Sequence, residues 1–224
     1  MDFDAVILAG GRSSRLGGVP KAQLTVGGVS LLERALQAAA GARRTVVVGP
    51  DPGGLPPGVL SCREDPPFSG PAAALAAGLS ALAAGPDARP AAPLTLVLAC
   101  DMPRAAAAVQ SLLAALAGPG AIRCDGAVAV SADGRIQPLA AVYDTGVLQR
   151  AVADADRRGT LSGGSVFGLL ASLELRSVPV PPGSTDDVDT WDDAAALGVS
   201  RPGHGPLGEL RPNPTLEANG EEPG

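Results

Sequence analysis

A run of glycines and cations near the N-terminus is the part of the sequence best suited to chemistry. From Gly10 to Lys21 the chain reads G-G-R-S-S-R-L-G-G-V-P-K. The glycines allow backbone N–H groups to face an anion, and Arg12 and Arg15 supply planar guanidinium groups that match phosphate oxygens. Lys21 is the only lysine in a chain whose other cations are arginines, which indicates a site that requires an ammonium group. The run predicts a phosphate-binding loop; the alternative is a flexible surface loop.

The remaining titratable residues restrict the chemistry to carboxylates and cations. The single histidine, His204, lies in a Pro/Gly-rich stretch, and the three cysteines form no C-x-x-C pair. These features exclude Ser-His-Asp catalysis, Cys-His catalysis and a zinc site. Asp101 follows an apolar run, just past the end of a predicted strand. The chemistry open to the chain runs on such carboxylates, on arginine, lysine and backbone amides, and on a hard metal ion. The alternative is that Asp101 caps the next helix, as Asp187 and Asp189 would cap the last one.

The composition excludes several classes of partner. The net charge is −6 and no basic stripe is present, which argues against a general nucleic-acid binder. The N-terminus lacks the basic start of a signal peptide, and the apolar runs are shorter than the ~20 residues of a membrane span. We therefore expect a cytoplasmic protein with no nucleic-acid or membrane partner. Because aromatic residues make up only 2% of the chain, the core must consist of Ala, Val, Leu and Ile.

Strands and helices alternate along the chain. The predicted strands are residues 5–9, 45–48, 94–99, 127–130, 139–143 and 173–180, the fourth and fifth forming a hairpin. The predicted helices are residues 31–40, 69–84, 104–117, 145–157 and 192–197. This order predicts an α/β fold with three layers, a mostly parallel sheet with helices on both faces. Ligands bind at the carboxyl ends of such strands, where both the glycine loop and Asp101 fall.

The domain organisation follows from the same pattern. Residues 1–199 contain all of the predicted elements and form one domain. Residues 200–224 are rich in Pro, Gly and Glu, and we expect them to form a disordered tail.

At this point the sequence resembles a known family. The segment from Leu8 to Lys21, L-A-G-G-R-S-S-R-L-G-G-V-P-K, is similar to that of the molybdenum cofactor guanylyltransferases and their MobA-like nucleotidyltransferase relatives. Four further segments match in order: E-D-P-P followed by G-P at 64–71, C-D-M-P at 100–103, Q-P at 137–138 and D-V-D-T at 187–190. The resemblance spans about residues 5–197.

The resemblance implies a Rossmann-like nucleotidyltransferase fold and a set of functional residues. The implied nucleotide-binding residues are Leu8, Ala9, Gly10, Gly11, Arg12, Arg15, Lys21, Glu64, Asp65, Gly70, Pro71 and Asp101. The implied catalytic residues are Arg15, Lys21 and Asp101, and the implied magnesium ligands are Asp101 and Asp189. Either Glu64 or Asp65 is expected to line the nucleoside pocket, and Asp189 is expected to lie near the acceptor.

The resemblance also implies an activity: magnesium-dependent transfer of GMP from GTP to molybdopterin, the molybdenum cofactor, with release of pyrophosphate. L-A-G-G resembles the GTP-using branch of the family, whereas L-A-A-G is typical of the CTP-using branch. Transient contact with proteins that deliver the cofactor or accept the product is expected. Two alternatives remain open: a related transferase that uses CTP or a sugar or alditol phosphate, and a non-enzymatic module that binds nucleotide or cofactor.

Overall fold

The computed structural model describes residues 1–85, 90–118 and 124–203. The strands are β1 (Phe3–Leu8), β2 (Thr25–Val26), β3 (Val29–Ser30), β4 (Thr45–Val48), β5 (Val59–Cys62), β6 (Leu94–Ala99), β7 (Gly126–Val130), β8 (Ile136–Asp144), β9 (Leu175–Pro179) and β10 (Val199–Ser200). The helices are α1 (Leu31–Ala38), α2 (Pro71–Ala83), α3 (Ala105–Ala117), α4 (Thr145–Arg157), α5 (Val166–Leu170) and α6 (Trp191–Leu197).

The main sheet has seven strands in the order β5-β4-β1-β6-β8-β7-β9. Strand β8 runs antiparallel to both of its neighbours, β6 and β7, and all other pairings are parallel. The fully buried β1 and the almost fully buried β6 lie side by side at the centre. Apart from Asp4 and Thr95 their residues are apolar, which suits strands that are covered on both faces. The predicted mostly parallel sheet is confirmed.

Helices cover both faces of this sheet, which confirms the predicted three layers. Helices α1 and α3 pack on one face, and α2, α4 and α5 pack on the other. Close packing of α2 depends on Gly78, where a Cβ atom would lie 2.6 Å from Val6 Cγ1. The N-terminus of α1 is fixed by Ser30, whose hydroxyl accepts a hydrogen bond from the Glu33 N–H group at 3.1 Å.

Within the described residues, no helix combines the length and apolar composition that a bilayer span requires.

Three features of the fold were not predicted. Strand β5 forms the edge of the main sheet directly after the predicted loop, a small sheet forms in the order β10-β2-β3, and α5 is a short helix. These elements are short, and their residues become strand or helix through contacts with distant parts of the chain.

Ser200, predicted to begin the tail, pairs with Thr25 in the small sheet. The predicted tail from residue 204 onward lies outside the described residues.

Candidate functional site

Four parallel strands, β5, β4, β1 and β6, end at the same edge of the sheet and position the candidate site. Backbone hydrogen bonds continue just past their ends, from Ala9 N to Val48 O at 2.8 Å and from Cys100 N to Leu8 O at 3.0 Å. Gly49 allows β1 and β4 to remain this close, since a Cβ atom there would lie 2.9 Å from the backbone of Ala9. The glycine loop and Asp101 therefore leave the sheet side by side.

A cleft of about 250 Å³ opens at this edge. Nine of the residues predicted to bind nucleotide line it: Leu8, Gly10, Gly11, Arg12, Lys21, Glu64, Gly70, Pro71 and Asp101. The other three lie elsewhere. Ala9 lines an adjoining cavity with Arg12 and Lys21, Asp65 lines a groove between α2 and α4, and Arg15 is exposed on the neighbouring 3-10 turn. The roles of all twelve residues in binding nucleotide stay predictions.

The glycine loop is a folded turn that is anchored to the core. Gly11, Gly17 and Gly18 have φ angles of 132°, 68° and 79°, which residues with a side chain rarely adopt. A short 3-10 turn, Ser14–Leu16, lies between them, and the fully buried Leu16 packs in a small apolar cluster with Val188. The loop thus has a defined path around one side of the cleft.

Lys21 forms ion pairs with two acidic residues at the cleft. Its Nζ atom lies 2.7 Å from Asp101 Oδ2 and 2.5 Å from Asp189 Oδ1. Burial on its own lowers the pKa of Lys21, but the charges and hydrogen bonds of Asp101 and Asp189 outweigh it and hold the pKa above its ordinary value of 10.5. Lys21 is therefore protonated at neutral pH, and the predicted cation and the predicted metal ligand share one site.

A backbone hydrogen bond brings the D-V-D segment to this site. Val188 N donates to Asp101 O at 3.1 Å, and the fully buried Val188 side chain points into the small apolar cluster. The neighbouring residues, Asp187 and Asp189, are exposed and lie near Asp101. The segment is thus fixed by its central residue and presents its two carboxylates to solvent.

Other residues occupy the capping positions that had been an alternative role for these acids. Thr190 caps α6 in a reciprocal capping box with Asp193. Arg104 occupies the cap position of α3 and makes no side-chain capping bond, while the Asp101 carboxylate pairs with Lys21. The capping interpretation of Asp101 is not what the structure shows.

Asp101, Asp187 and Asp189 form a group of carboxylates that suits a metal ion. One oxygen from each lies within 4.8 Å of the others. Carboxylate oxygens, completed by water and substrate phosphates, are the usual ligands of magnesium, so the donor set fits the predicted ion. From the sequence, Asp187 was expected only to cap the last helix, and its place in this group was not predicted. The signal was the alternation D-V-D, in which a buried valine directs both flanking carboxylates to the same side.

The clustering of the three carboxylates disfavours the charged form of Asp187. Although Asp187 remains exposed, neighbouring groups remove part of its hydration, and this desolvation raises its pKa above the ordinary value of 3.8. The negative charges of Asp101 and Asp189 raise the pKa further. A divalent cation would remove this penalty, because it would reverse the sign of the local field.

Replacing Asp187 with Asn should therefore flatten the pH dependence of stability. The folded protein holds the Asp187 proton more tightly than the unfolded chain does, because the folded-state pKa is raised. The resulting stabilisation is complete below the ordinary pKa of 3.8 and is lost as pH rises through the raised pKa. In magnesium-free buffer, the urea midpoint of the wild type should fall more between acidic and neutral pH than that of Asp187→Asn. Asp186→Asn, an exposed neighbour, is the matched control, and equal pH profiles for all three proteins would contradict the expectation.

A second cavity of about 250 Å³ also borders Asp101. Gln137, Thr185 and Asp187 supply its polar lining, and Met102 and Leu139 are among its apolar residues. Asp101 and Leu139 line both this cavity and the cleft. Two ligands, one in each space, would therefore meet at the carboxylate group.

A mostly parallel three-layer sheet, with a glycine loop and clustered carboxylates at the ends of its strands, is typical of a nucleotide-binding α/β protein. The sequence model of the MobA-like NTP transferase domain matches residues 5–167, and the chain belongs to this family. A comparison with curated protein sequences gives no match.

Solved structures share the fold at low sequence identity. Molybdopterin-guanine dinucleotide biosynthesis protein A from Archaeoglobus fulgidus is 18% identical, with 88% of this chain and 97% of that chain covered and a TM-score of 0.62. The 2-C-methyl-D-erythritol 4-phosphate cytidylyltransferase from Thermus thermophilus is 24% identical, with 88% and 98% covered and a TM-score of 0.61. Rv0371c from Mycobacterium tuberculosis is 21% identical, with 88% and 98% covered and a TM-score of 0.63. These similarities show a shared fold. The match to the NTP transferase family model supports nucleotidyl transfer and leaves donor and acceptor open.

Proposed function

We propose that the protein transfers GMP from GTP to the phosphate group of molybdopterin in a magnesium-dependent reaction that releases pyrophosphate. The observation that carries the proposal is the shared position of Lys21, Asp101 and Asp189 beside the glycine loop. A triphosphate bound along the glycine loop and a metal ion held by the carboxylates would meet at this group of side chains.

The cleft supports the donor half of the reaction. Gly10, Gly11 and Arg12 line one side of it, and α2 begins at Pro71 on another. Backbone N–H groups, a guanidinium group and the positive end of a helix dipole all favour a polyphosphate. The sequence L-A-G-G resembles the GTP-using branch, and GTP is therefore the proposed donor.

The reaction requires positioning and charge neutralisation by the protein. A phosphate oxygen of the acceptor forms a bond to the α-phosphorus of GTP, while the bond from that phosphorus to the bridging oxygen breaks and pyrophosphate leaves. The attacking oxygen is already anionic, so no histidine or other strong general base is needed. Lys21 and Arg12 would offset the charge on the leaving pyrophosphate, a role we also assign to the exposed Arg15.

The three carboxylates would hold the metal ion, with Asp101 and Asp189 as the predicted ligands and Asp187 completing the group. A bound magnesium ion supplies Lewis-acid polarisation of the α-phosphate and a template for the two substrates. The second cavity, which shares Asp101 with the cleft, would receive the acceptor.

A cytidylyltransferase activity is the second candidate, because a cytidylyltransferase from Thermus thermophilus shares the fold. The nucleotide donor and the acceptor can be tested separately. Purified protein should be incubated with magnesium, one nucleoside triphosphate and one acceptor, and both pyrophosphate and the nucleotidylated product should be measured. GTP with molybdopterin should give both products. Product only with CTP, or only with a sugar or alditol phosphate, would overturn the proposed assignment.

A further inference from the structure

Phe68 is an exposed aromatic residue at the cleft, and its backbone is held in an unusual conformation. It is 47% exposed and lines both the cleft and the adjoining cavity beside the glycine loop. Its φ of 65° lies in the left-handed region, which bulky side chains rarely adopt. The buried Glu64 supports this conformation, because its Oε1 atom accepts a hydrogen bond from Phe68 N at 2.9 Å. An unfavourable conformation that is held in place at a cleft indicates that the position of the ring matters for function.

Two guanidinium groups lie over the Phe68 ring. The Cζ atoms of Arg12 and Arg63 are 5.5 Å and 5.1 Å from the ring centre. A cation within about 6 Å of an aromatic ring centre is attracted to the ring face. Arg12 belongs to the glycine loop and Arg63 directly follows β5, so the ring joins two segments that are distant in the sequence. Arg63 was not among the residues predicted to bind nucleotide.

The two arginines have no carboxylate partner that would explain their positions. Both are exposed, and neither forms an ion pair within residues 1–85, 90–118 and 124–203. Two like charges at one ring repel each other, and a bound anion removes that repulsion. The protonated Lys21 lines the same two spaces as Phe68 and Arg12. Three cations around one exposed ring suit an anion with several charges, and guanidinium groups match phosphate oxygens.

Resting on the proposed nucleotidyl transfer, we propose that Phe68 is a positioning residue that holds Arg12 and Arg63 together as a pair of cations for the polyphosphate chain of the nucleotide. The ring acts through the two guanidinium groups. The arginine pair binds the β- and γ-phosphates, which leave as pyrophosphate, and takes no part in binding the nucleoside.

Replacing Phe68 with Leu and with Tyr tests this role, because Leu removes the aromatic face and Tyr keeps it. Affinity should be measured by calorimetry for inorganic pyrophosphate and for GMP, each with magnesium. Phe68→Leu should bind pyrophosphate about threefold to thirtyfold more weakly than the wild type, the range expected for cation–π contacts. Phe68→Tyr should bind pyrophosphate like the wild type, and GMP affinity should be unchanged in both variants. Because both substitutions keep a side chain at the same φ of 65°, a loss confined to Leu is not a backbone effect.

Substitutions of the arginines test whether the ring acts through them. Arg12→Met and Arg63→Met should each weaken pyrophosphate binding. In either background, adding Phe68→Leu should cause a smaller further loss than it causes alone, since the ring then holds one cation fewer. Phe167→Leu, at an exposed position on α5 outside the cleft lining, is the matched control and should bind pyrophosphate like the wild type.

Equal pyrophosphate affinity in the wild type and Phe68→Leu would overturn the inference. An equal loss in Phe68→Tyr, or a loss of GMP affinity as large as that of pyrophosphate, would also overturn it, because the aromatic face would then not act on the phosphates. A wild type that binds neither pyrophosphate nor any nucleoside triphosphate would overturn the proposed function together with this inference, and that result needs no variant. Phe68 and both arginines are exposed, so the variants should keep the fold, which thermal unfolding checks.

Discussion

Replacing Asp101 with Asn should reduce nucleotidyl transfer by about 100- to 10,000-fold, because metal-ion stabilisation of transition-state charge contributes several kcal/mol. Asn keeps the size of the side chain but loses the charge that a magnesium ion requires. Asp101 also lines both the cleft and the second cavity, so its substitution affects the point where the proposed donor and acceptor would meet. The measurement is the rate of pyrophosphate release at saturating GTP, acceptor and magnesium.

The matched control for this substitution is Asp192→Asn. Asp192 is exposed in the first turn of α6, and its side chain has no place in the cleft or the carboxylate group. The control should retain wild-type turnover. If Asp101→Asn folds and turns over like the control, the metal role of Asp101 is wrong. If the wild type itself binds GTP and releases no pyrophosphate with any acceptor, the non-enzymatic binding module becomes the better interpretation.

The central strands and the two strand ends that begin the site could be predicted from the sequence. The largely apolar runs of β1 and β6 lead to Gly10 and Asp101, so their direction and their shared edge follow from the parallel arrangement. The hairpin of β7 and β8 was also correctly predicted from two apolar runs around a turn. Strong local patterns therefore determined the part of the fold that carries the glycine loop.

Strand β5 shows why other parts could not be predicted. Its sequence, V-L-S-C, is short and follows a Pro/Gly-rich loop, and it becomes a strand through parallel pairing with β4. Without β5, the sequence places Glu64 in a loop of unknown direction. With β5, Glu64 follows the fourth of four strand ends at the same edge. Of the two acids expected at the nucleoside pocket, the buried Glu64 lines the cleft and the exposed Asp65 does not.

The carboxylate group was only partly predictable for a related reason. Asp187 and Asp189 reach Asp101 through the hydrogen bond from Val188 N to Asp101 O, which joins residues far apart in the sequence. No local pattern encodes that contact. The alternation D-V-D indicates which side chains point outward, but only the tertiary structure determines what they face.

Lys21 forms ion pairs with two of the carboxylates, a contact that could not be predicted from the sequence. It was predicted to bind the triphosphate, and in the structure its ammonium group pairs with Asp101 and Asp189. The prediction and this contact are compatible, since an ammonium group between two carboxylates could move to a phosphate if a magnesium ion took its place. The lysine and the proposed metal ion would then be alternative partners of the same oxygens.

Replacing Lys21 with Met should therefore change two measurements in opposite directions. Turnover should fall by about 100- to 1,000-fold, the usual effect of removing one group that stabilises transition-state charge. Binding of Mn²⁺, a paramagnetic substitute for magnesium, should become tighter in the absence of nucleotide, because the ammonium group no longer competes for the carboxylates. This competition operates at neutral pH, since the raised pKa of Lys21 keeps it protonated.

Lys21→Arg separates charge from shape in the same experiment. Its guanidinium group keeps the positive charge, so Mn²⁺ binding without nucleotide should remain weak, as in the wild type. The larger planar group cannot reproduce the compact ammonium at 2.7 Å and 2.5 Å from its two partners, so turnover should stay low. Weaker Mn²⁺ binding in Lys21→Met than in the wild type would contradict the competition. Full turnover in Lys21→Arg would mean that the cleft requires only a positive charge, and that the single lysine of this arginine-rich chain has no chemical significance.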